Sequence, residues 1–412
     1  VLLEKREWGS DRVDVEKMDE DDISGDALTG GYLIKIDKAT GSGTLADWWS
    51  DVTFYNVEKE YGCKYDRPHR DLITQQQEDY IQNHINTMEA AMIGGQLENP
   101  QTGYRHYFDL PSMVDFLLIN ELTRNIDAYR LSTYMGKQRD SRGGKLIIGP
   151  VWDINLGYGN ANYCDGESTT GWAFLNCERI EIPFWWEALV ADDDYMQLVS
   201  CRWQELRSEI LDQTKLNDQI DDYVMELGAA VDRNFTRWPI LGTWVWSNPF
   251  LANTHAEHVQ YMKDFIGNRM QWMDENIPEP IEACNSSLQN SIVVSEINYN
   301  QGTTDYAEDW FELHNRTSMD IDLSLATIKD NNIYNSFTFP MGTQILADSF
   351  LVVARDIQSF SSVHPNIDNA VQGSFNWGLS NSGDRIQMRD VNGLPVFDVT
   401  YTTLSPWPSS TN

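Results

Sequence analysis

The sequence predicts a two-domain α+β protein: a mainly helical unit that carries a β-hairpin, followed by an all-β sandwich or barrel. Three observations predict this. Segments with apolar residues three and four apart fill much of the stretch up to Asn276, and two β-rich runs flank a DSRGGK turn within it. After about residue 290, short strand-like runs recur between Gly, Asn and Asp turns. At 412 residues the chain also exceeds what one hydrophobic core usually serves.

Taken in order, Val1-Leu2-Leu3-Glu4 reads as a strand already under way, so the N-terminus is expected to be truncated. The acidic stretch DEDDISGD reads as a solvated loop, and the run from Gly30 to Ile36 alternates like a strand. Glu78 to Ala91 carries helical spacing, and a longer helix is signalled from Ser112, an N-cap candidate after Pro111. YRLSTYMGKQ and KLIIGPVWD read as the two strands of a hairpin laid against that helix, the second apolar enough to be buried on both faces. Helical segments then dominate from Pro183 to Asn276. PEPIEACNSSLQN, without periodicity and rich in Pro, Ser and Asn, reads as a linker over 278–290. The expected domains are therefore 1–277 and 291–412.

Composition bounds the function. Hydrophobic residues at 41% and aromatics at 12% supply too much buriable surface for a disordered chain. A formal net charge of -33 repels phosphate backbones and anionic lipid, which argues against nucleic acid as a partner. No window approaches the ~18 continuous apolar residues of a membrane span. None of the five cysteines forms a CxxC pair or a zinc-spaced cluster. Cys164 and Cys177 enclose a twelve-residue Gly/Ser/Thr-rich loop of the kind a disulfide staples, with Cys201 as the competing partner. The Trp-rich segments Trp185-Trp186 and Trp244-Val245-Trp246 read as core or interdomain packing, with a sugar-binding groove as the alternative.

The constellation that could carry chemistry is Asn125-Ile126-Asp127 at the end of the long helix, with Trp152-Asp153-Ile154-Asn155 after the hairpin. Two carboxylates leave the chain where a helix and a strand terminate, and a folded-back ribbon can bring its ends together. Oxygen-only ligands suit a hard cation such as Mg²⁺ or Mn²⁺, which positions a polyphosphate for transfer. The alternative is a local one, since Asp and Asn also sit at element ends for hydrogen-bonding reasons alone.

NELTRNIDAYRLSTYMGKQRDSRGGKLIIGPVWDINLGYGNANYCDG resembles the catalytic segment of the spore-coat-H (CotH) kinase family, and so do VLLEKREWGSDRVDVEKMDEDDISGDALTGGYLIKIDK and PFWWEALVADDDYMQLVSCRWQELR. The resemblance covers about residues 1 to 277 and implies an atypical protein-kinase-like fold, mostly its C-terminal lobe. It implies ATP and Mg²⁺ or Mn²⁺ as cofactors, with Asp127 as the catalytic aspartate and Asp153 as the metal-binding one. Asn155 joins Asp153 as a metal ligand where many relatives carry a second Asp; Asn125, Ser132 and Glu4 fall in the cofactor-binding set. Ser132 stands at the offset where conventional kinases place an Asn on a second metal.

Leu3-Glu4-Lys5 resembles the strand and hinge that follow the nucleotide-cradling lobe, and no GxGxxG or GxxxxGK precedes it, so this chain alone is expected to bind nucleotide poorly. Lys5 and Lys35 are the substitutes to weigh for a phosphate-binding lysine; both read as surface charges. Beyond the linker, IVVSEINYN, DWFELHN, IDLSLATIKD, FTFPMGTQI, FLVVA and LSNSGDRIQMRD resemble a lamin tail domain, an immunoglobulin-like sandwich whose final strand is expected to be missing. The joint expectation is a secreted or cell-surface kinase acting on Ser/Thr of extracellular proteins, with cell-surface or carbohydrate attachment through the second domain. The alternatives are a non-catalytic adhesion protein on a degenerate kinase scaffold and a metal-dependent phosphoesterase or nuclease.

Overall fold

The structure, a computed structural model, describes residues 9, 12–38, 46–54, 57–177, 179–299, 307–371, 373–405 and 407. A short helix α1 (Gly25–Leu28) leads into β1 (Tyr32–Ile36), β2 (Trp48–Phe54) and β3 (Val57–Arg67). Helices α2 (Gln75–Ile93), α3 (Tyr104–Tyr107) and α4 (Leu110–Thr123) follow, then β4 (Thr133–Lys137) and β5 (Leu146–Ile148). The five strands form one antiparallel sheet in the order β2-β3-β1-β4-β5.

The hairpin expected from the sequence is the β4–β5 edge of that sheet, with Met135 opposite Ile148. Its other edge, β2 and β3, escaped the sequence reading. In β3 the residues facing the core are Tyr61, Cys63 and Tyr65, but Glu58, Lys59, Glu60, Lys64, Asp66 and Arg67 between and around them mask the alternation. Lys59 is itself fully buried and reaches Glu187 at 2.5 Å, a pairing no local pattern announces.

Asp109, rather than Ser112, caps α4: its carboxylate accepts from the Ser112 backbone N–H at 3.1 Å. Pro111 fits inside the first turn because no intrahelical partner is needed there for its missing N–H. Ser112 instead ties helix to sheet, its hydroxyl donating to the Asp109 carbonyl (2.8 Å) and accepting from the Ile148 N–H (3.2 Å).

The helical half continues with α5 (Trp185–Val190), α6 (Asp193–Ser208), α7 (Gln213–Leu227), α8 (Ala230–Arg237) and α9 (His255–Asn276). Helices α5 and α6 are separated at Asp192, whose carboxylate accepts from the Tyr195 N–H (2.7 Å) and the Tyr104 hydroxyl (2.9 Å). Such a cap starts a new helix. Among the described residues no helix is long and apolar enough to cross a membrane.

Cys164 is joined to Cys177, and Cys201 to Cys284, leaving Cys63 buried and free. The second bridge pins the segment 278–290 to α6. Gln197 adds to it, donating to the Glu282 carbonyl (2.9 Å) and accepting from the Ile281 N–H (2.8 Å).

The second domain holds β6 (Ile292–Asn298), β7 (Trp310–Asn315), β8 (Ile321–Asp322), β9 (Thr327–Lys329), β10 (Phe337–Thr338), β11 (Gln344–Ile345) and β12 (Phe350–Ala354). Helix α10 (Ile357–Val363), β13 (Gly383–Arg389) and β14 (Pro395–Thr402) complete it. Sheets β12-β7-β6 and β10-β9-β13-β14 enclose a core that includes Phe311, Leu313, Phe339, Val353, Phe375 and Met388.

The two domains are docked. Tyr334 packs with Val13, Val15, Leu33, Tyr134 and Ile147 of the first domain, and Leu394 enters its main core. Lys329 pairs with Asp109, and Asn332 donates to Asp14 at 2.5 Å.

One core group makes stability pH-dependent. Glu89 on α2, 2% exposed, accepts from the Ser50 hydroxyl (2.7 Å) and the Trp185 indole N–H (3.0 Å). Burial nonetheless raises its carboxyl from the ordinary 4.5 to about 7. Between those values the folded chain holds a proton that the unfolded chain has released, so stability falls as pH rises through the window, by about 3 kcal/mol. Asp330, raised to about 7 by burial, acts in the same sense. Urea unfolding at pH 5 and pH 8 should therefore show lower stability at pH 8, and Glu89→Gln, which keeps an acceptor for Trp185, should flatten the difference. An unchanged pH slope in that variant would remove Glu89 as the cause.

Candidate active site

Helix α4 ends at Arg124 in a left-handed conformation (φ 46), which turns the chain sharply into the segment 125–132. Asn125, 2% exposed, is committed to that turn. Its side chain donates to the Asn120 amide oxygen (3.4 Å) and accepts from the Asp127 N–H (3.3 Å). It braces the Asp127 backbone and has little left to offer a cofactor.

Asp127 is 6% exposed and accepts from Arg130 at 3.4 Å, while the other arm of Arg130 reaches Glu181 at 3.3 Å. Burial raises its carboxyl above the usual range; the cations Arg130 and Lys38 pull it down, and the charges of Asp153 and Asp37 push it up again. The upward direction prevails. A carboxylate held in that way is a better proton acceptor than a solvated one.

Asp153 follows β5 in a left-handed conformation (φ 61) that is costly for a non-glycine residue. Its carboxylate makes no hydrogen bond or ion pair among the described residues. Arg124, Tyr129, Ser132, Asp153 and Tyr158 all have φ between 46 and 71, so backbone strain is concentrated around the two aspartates. The structure brings Asp127 and Asp153 onto neighbouring loops at one edge of the sheet, close enough for the charge of Asp153 to act on Asp127.

Asn155 lies exposed beside Asp153, with only its carbonyl engaged, by the Asn160 side chain at 2.9 Å. A cavity of about 820 Å³ opens against this loop, lined by Asp153, Asn155, Trp152, Tyr158, Phe250 and Tyr261 among others. Ser132, 7% exposed, sits just before β4 with its hydroxyl unengaged among the described residues. Glu4 and Lys5 lie outside the described residues.

Lys35 is held by Asp66 at 2.9 Å. Lys38 is the cation the sequence reading passed over. It follows β1, and its exposed ammonium faces the field of Asp127 without a partner among the described residues. Nothing local marks it; it matters because β1 pairs with β4 and so ends beside the Asp127 loop. Of the Trp-rich segments, Trp185 and Trp186 are fully buried, whereas Trp244 and Trp246 are 58% and 66% exposed, with Trp246 stacked on Tyr163 at 5.7 Å. Core packing therefore describes the first pair only.

No group of three or more His, Cys, Asp or Glu side chains forms a metal cage among the described residues. The donors present, the unpartnered Asp153 carboxylate with the Asn155 amide, fit an ion that arrives with phosphates. Mg²⁺ is commonly bound through one or two carboxylates plus phosphate oxygens.

The site rests on a buried polar network. Glu121 and Arg269, both with fully buried side chains, pair at 2.9 Å, and Arg269 also donates to the Glu121 carbonyl (2.7 Å) and the Gly171 carbonyl (2.8 Å). Glu121 further accepts from the Ala173 N–H (2.7 Å) and the Tyr129 hydroxyl (2.8 Å). Arg124 donates to the carbonyls of Asp165 and Gly171, both at 2.7 Å. The end of α4, helix α9 and the Cys164–Cys177 loop are thereby locked together behind Asp127.

No curated protein matches the chain. The family described as CotH kinase protein matches residues 10–273, and the Lamin Tail Domain matches residues 285–403. With well over half its length covered by the first of these, the chain belongs to the CotH kinase family and carries a lamin tail domain behind its kinase domain.

Proposed function

We propose that the protein transfers the γ-phosphate of ATP to Ser or Thr hydroxyls of extracellular or cell-surface proteins, with Mg²⁺ or Mn²⁺, and that the lamin tail domain holds it at its place of work. The observation that carries this reading is a buried Asp127 whose pKa is raised, near an Asp153 carboxylate without a partner among the described residues, in a chain of the CotH kinase family. Asp127 accepts the proton of the acceptor hydroxyl and orients its oxygen toward the phosphorus. Asp153, with Asn155, would hold the ion, which when bound neutralises phosphate charge. Lys38 adds a positive charge that acts on Asp127. Arg130 keeps Asp127 in position through its contact at 3.4 Å.

Calorimetric titration of the full-length protein with ATP, in Mg²⁺ or Mn²⁺ and in chelator, tests the reading. Metal-dependent binding is expected, weakened at least about tenfold in Asp153→Ala, equivalent to about 1.4 kcal/mol. The second reading, a non-catalytic surface scaffold, draws on Ser132 in the position of a second-metal Asn and on the lack of a three-ligand cluster among the described residues. Absence of any metal-dependent binding would favour it.

A further inference from the structure

A second cavity, of about 480 Å³, lies at the junction of the two domains, lined by neither Asp127 nor Asp153. Four cationic side chains meet on its walls: Arg105 and Lys145 from the first domain, Lys329 and Arg389 from the second. In a chain of net charge -33 that concentration calls for a cause.

Two of the four are neutralised. Arg105 reaches Asp194 at 2.7 Å, and Lys329 pairs with Asp109. The other two have no ion-pair partner among the described residues, although the charge of Asp109 acts on both. Lys145, half-buried, makes no hydrogen bond or ion pair among the described residues, and burial lowers its ammonium to about 8. Arg389 donates to the Gly393 carbonyl at 2.9 Å and has no counter-ion within ion-pair distance among the described residues.

The carboxylates on the wall are already engaged. Asp109 serves Lys329 and the Ser112 N–H, and Asp140 receives Lys137 at 3.0 Å. Asp390 accepts from the Asn392 N–H (2.9 Å) and the Leu394 N–H (3.0 Å). A second observation points the same way: among the described residues Ser336, only 6% exposed and on the same wall, has a hydroxyl without a partner, and so do the His84 Nε2 and Arg105 Nε atoms of two other lining residues. Buried polar groups are ordinarily hydrogen-bonded, and a half-buried cation without a counter-ion adds to the cost.

Part of the wall is apolar, with Leu110, Leu325, Phe339 and Pro340. Its volume is in the range of small-molecule sites. We propose that this interdomain cavity binds a small organic oxyanion, a carboxylate or phosphate monoester, with its charged head between Lys145 and Arg389 and its apolar body against Leu325 and Phe339. Because the two cations come from different domains, the ligand bridges them and strengthens their docking. Arginine offers a planar fork to such a head and lysine a point charge.

Calorimetry of the full chain at low ionic strength with phenyl phosphate, benzoate and uncharged benzamide tests this. Saturable one-site binding of at least one anion is expected, with none of benzamide. Tighter phenyl phosphate assigns the natural ligand to the phosphate class, and tighter benzoate to the carboxylates. Lys145→Met and Arg389→Met should each weaken binding at least about tenfold, while Asp153→Ala leaves it unchanged. Thermal unfolding without ligand should show Lys145→Met folded, with a midpoint equal to or above that of the parent, since an unpaired charge has been removed. No saturable anion binding at low millimolar concentration, undiminished binding by the two variants, or a lowered midpoint in Lys145→Met would overturn the proposal.

Discussion

Arg269→Met should lower the unfolding free energy by about 3–5 kcal/mol, a loss as large as that from truncating a buried core aromatic. Both partners of the Glu121–Arg269 pair are fully shielded from water, so the loss of attraction is the smaller part of the effect. The larger part is the Glu121 carboxylate left behind. Burial already raises its pKa, and Arg269 is the foremost influence holding it down. With the guanidinium gone, the folded-state pKa of Glu121 climbs further above its unfolded value. The variant should therefore lose most stability at alkaline pH, where Glu121 must ionise on unfolding, and recover part of it as pH falls through that raised pKa.

The carbonyls of Glu121 and Gly171 also lose a donor, although Gly171 keeps Arg124 at 2.7 Å. Replacing both ends, in Arg269→Met with Glu121→Gln, removes the stranded charge and should be less damaging than the sum of the single changes, a coupling that a double-mutant cycle in urea measures. A single-variant loss below about 1 kcal/mol would mean that water enters this site. Because the network holds the end of α4, the same variant should also impair whatever Asp127 does.

Asp127→Asn should lower phosphoryl transfer by about 10²–10⁴-fold while leaving metal-dependent nucleotide binding close to that of the parent. The reason is a division of labour between the two carboxylates. Asn is nearly isosteric, can still accept from Arg130, and preserves the turn built by Asn125. It cannot accept a proton from the acceptor hydroxyl. Asp153, whose carboxylate has no protein partner among the described residues, is the one whose loss should be felt in nucleotide binding. Steady-state transfer to a generic acceptor protein, set beside ATP titrations of the same preparation, separates the two roles. Retention of more than a tenth of the activity in Asp127→Asn would exclude it as the proton acceptor, and equal loss of nucleotide binding in both variants would show that the two aspartates act as one electrostatic unit.

Local pattern was enough to locate α2, α4, the β4–β5 hairpin and most strands of the second domain. Their apolar residues repeat at the period of the element that buries them, and the terminating Asp, Asn and Gly residues lie within a few positions. The same pattern placed Asp127 and Asp153 at element ends, and the family resemblance is what proposes roles for them. It missed β3 because charged residues separate Tyr61, Cys63 and Tyr65, and those charges are accommodated by partners far away in sequence, as Lys59 is by Glu187.

What only the tertiary structure decided is of that long-range kind. The approach of Lys38 to Asp127 depends on β1 pairing with β4, and the Cys201–Cys284 bridge spans 83 residues. The cation-lined cavity exists because the second domain docks on the first through Tyr334, Lys329 and Leu394. Periodicity reports which face of an element is buried; it carries no information about which surface covers that face. That choice is made by packing between segments hundreds of residues apart, and here it creates both the electrostatic setting of the two aspartates and the pocket between the domains.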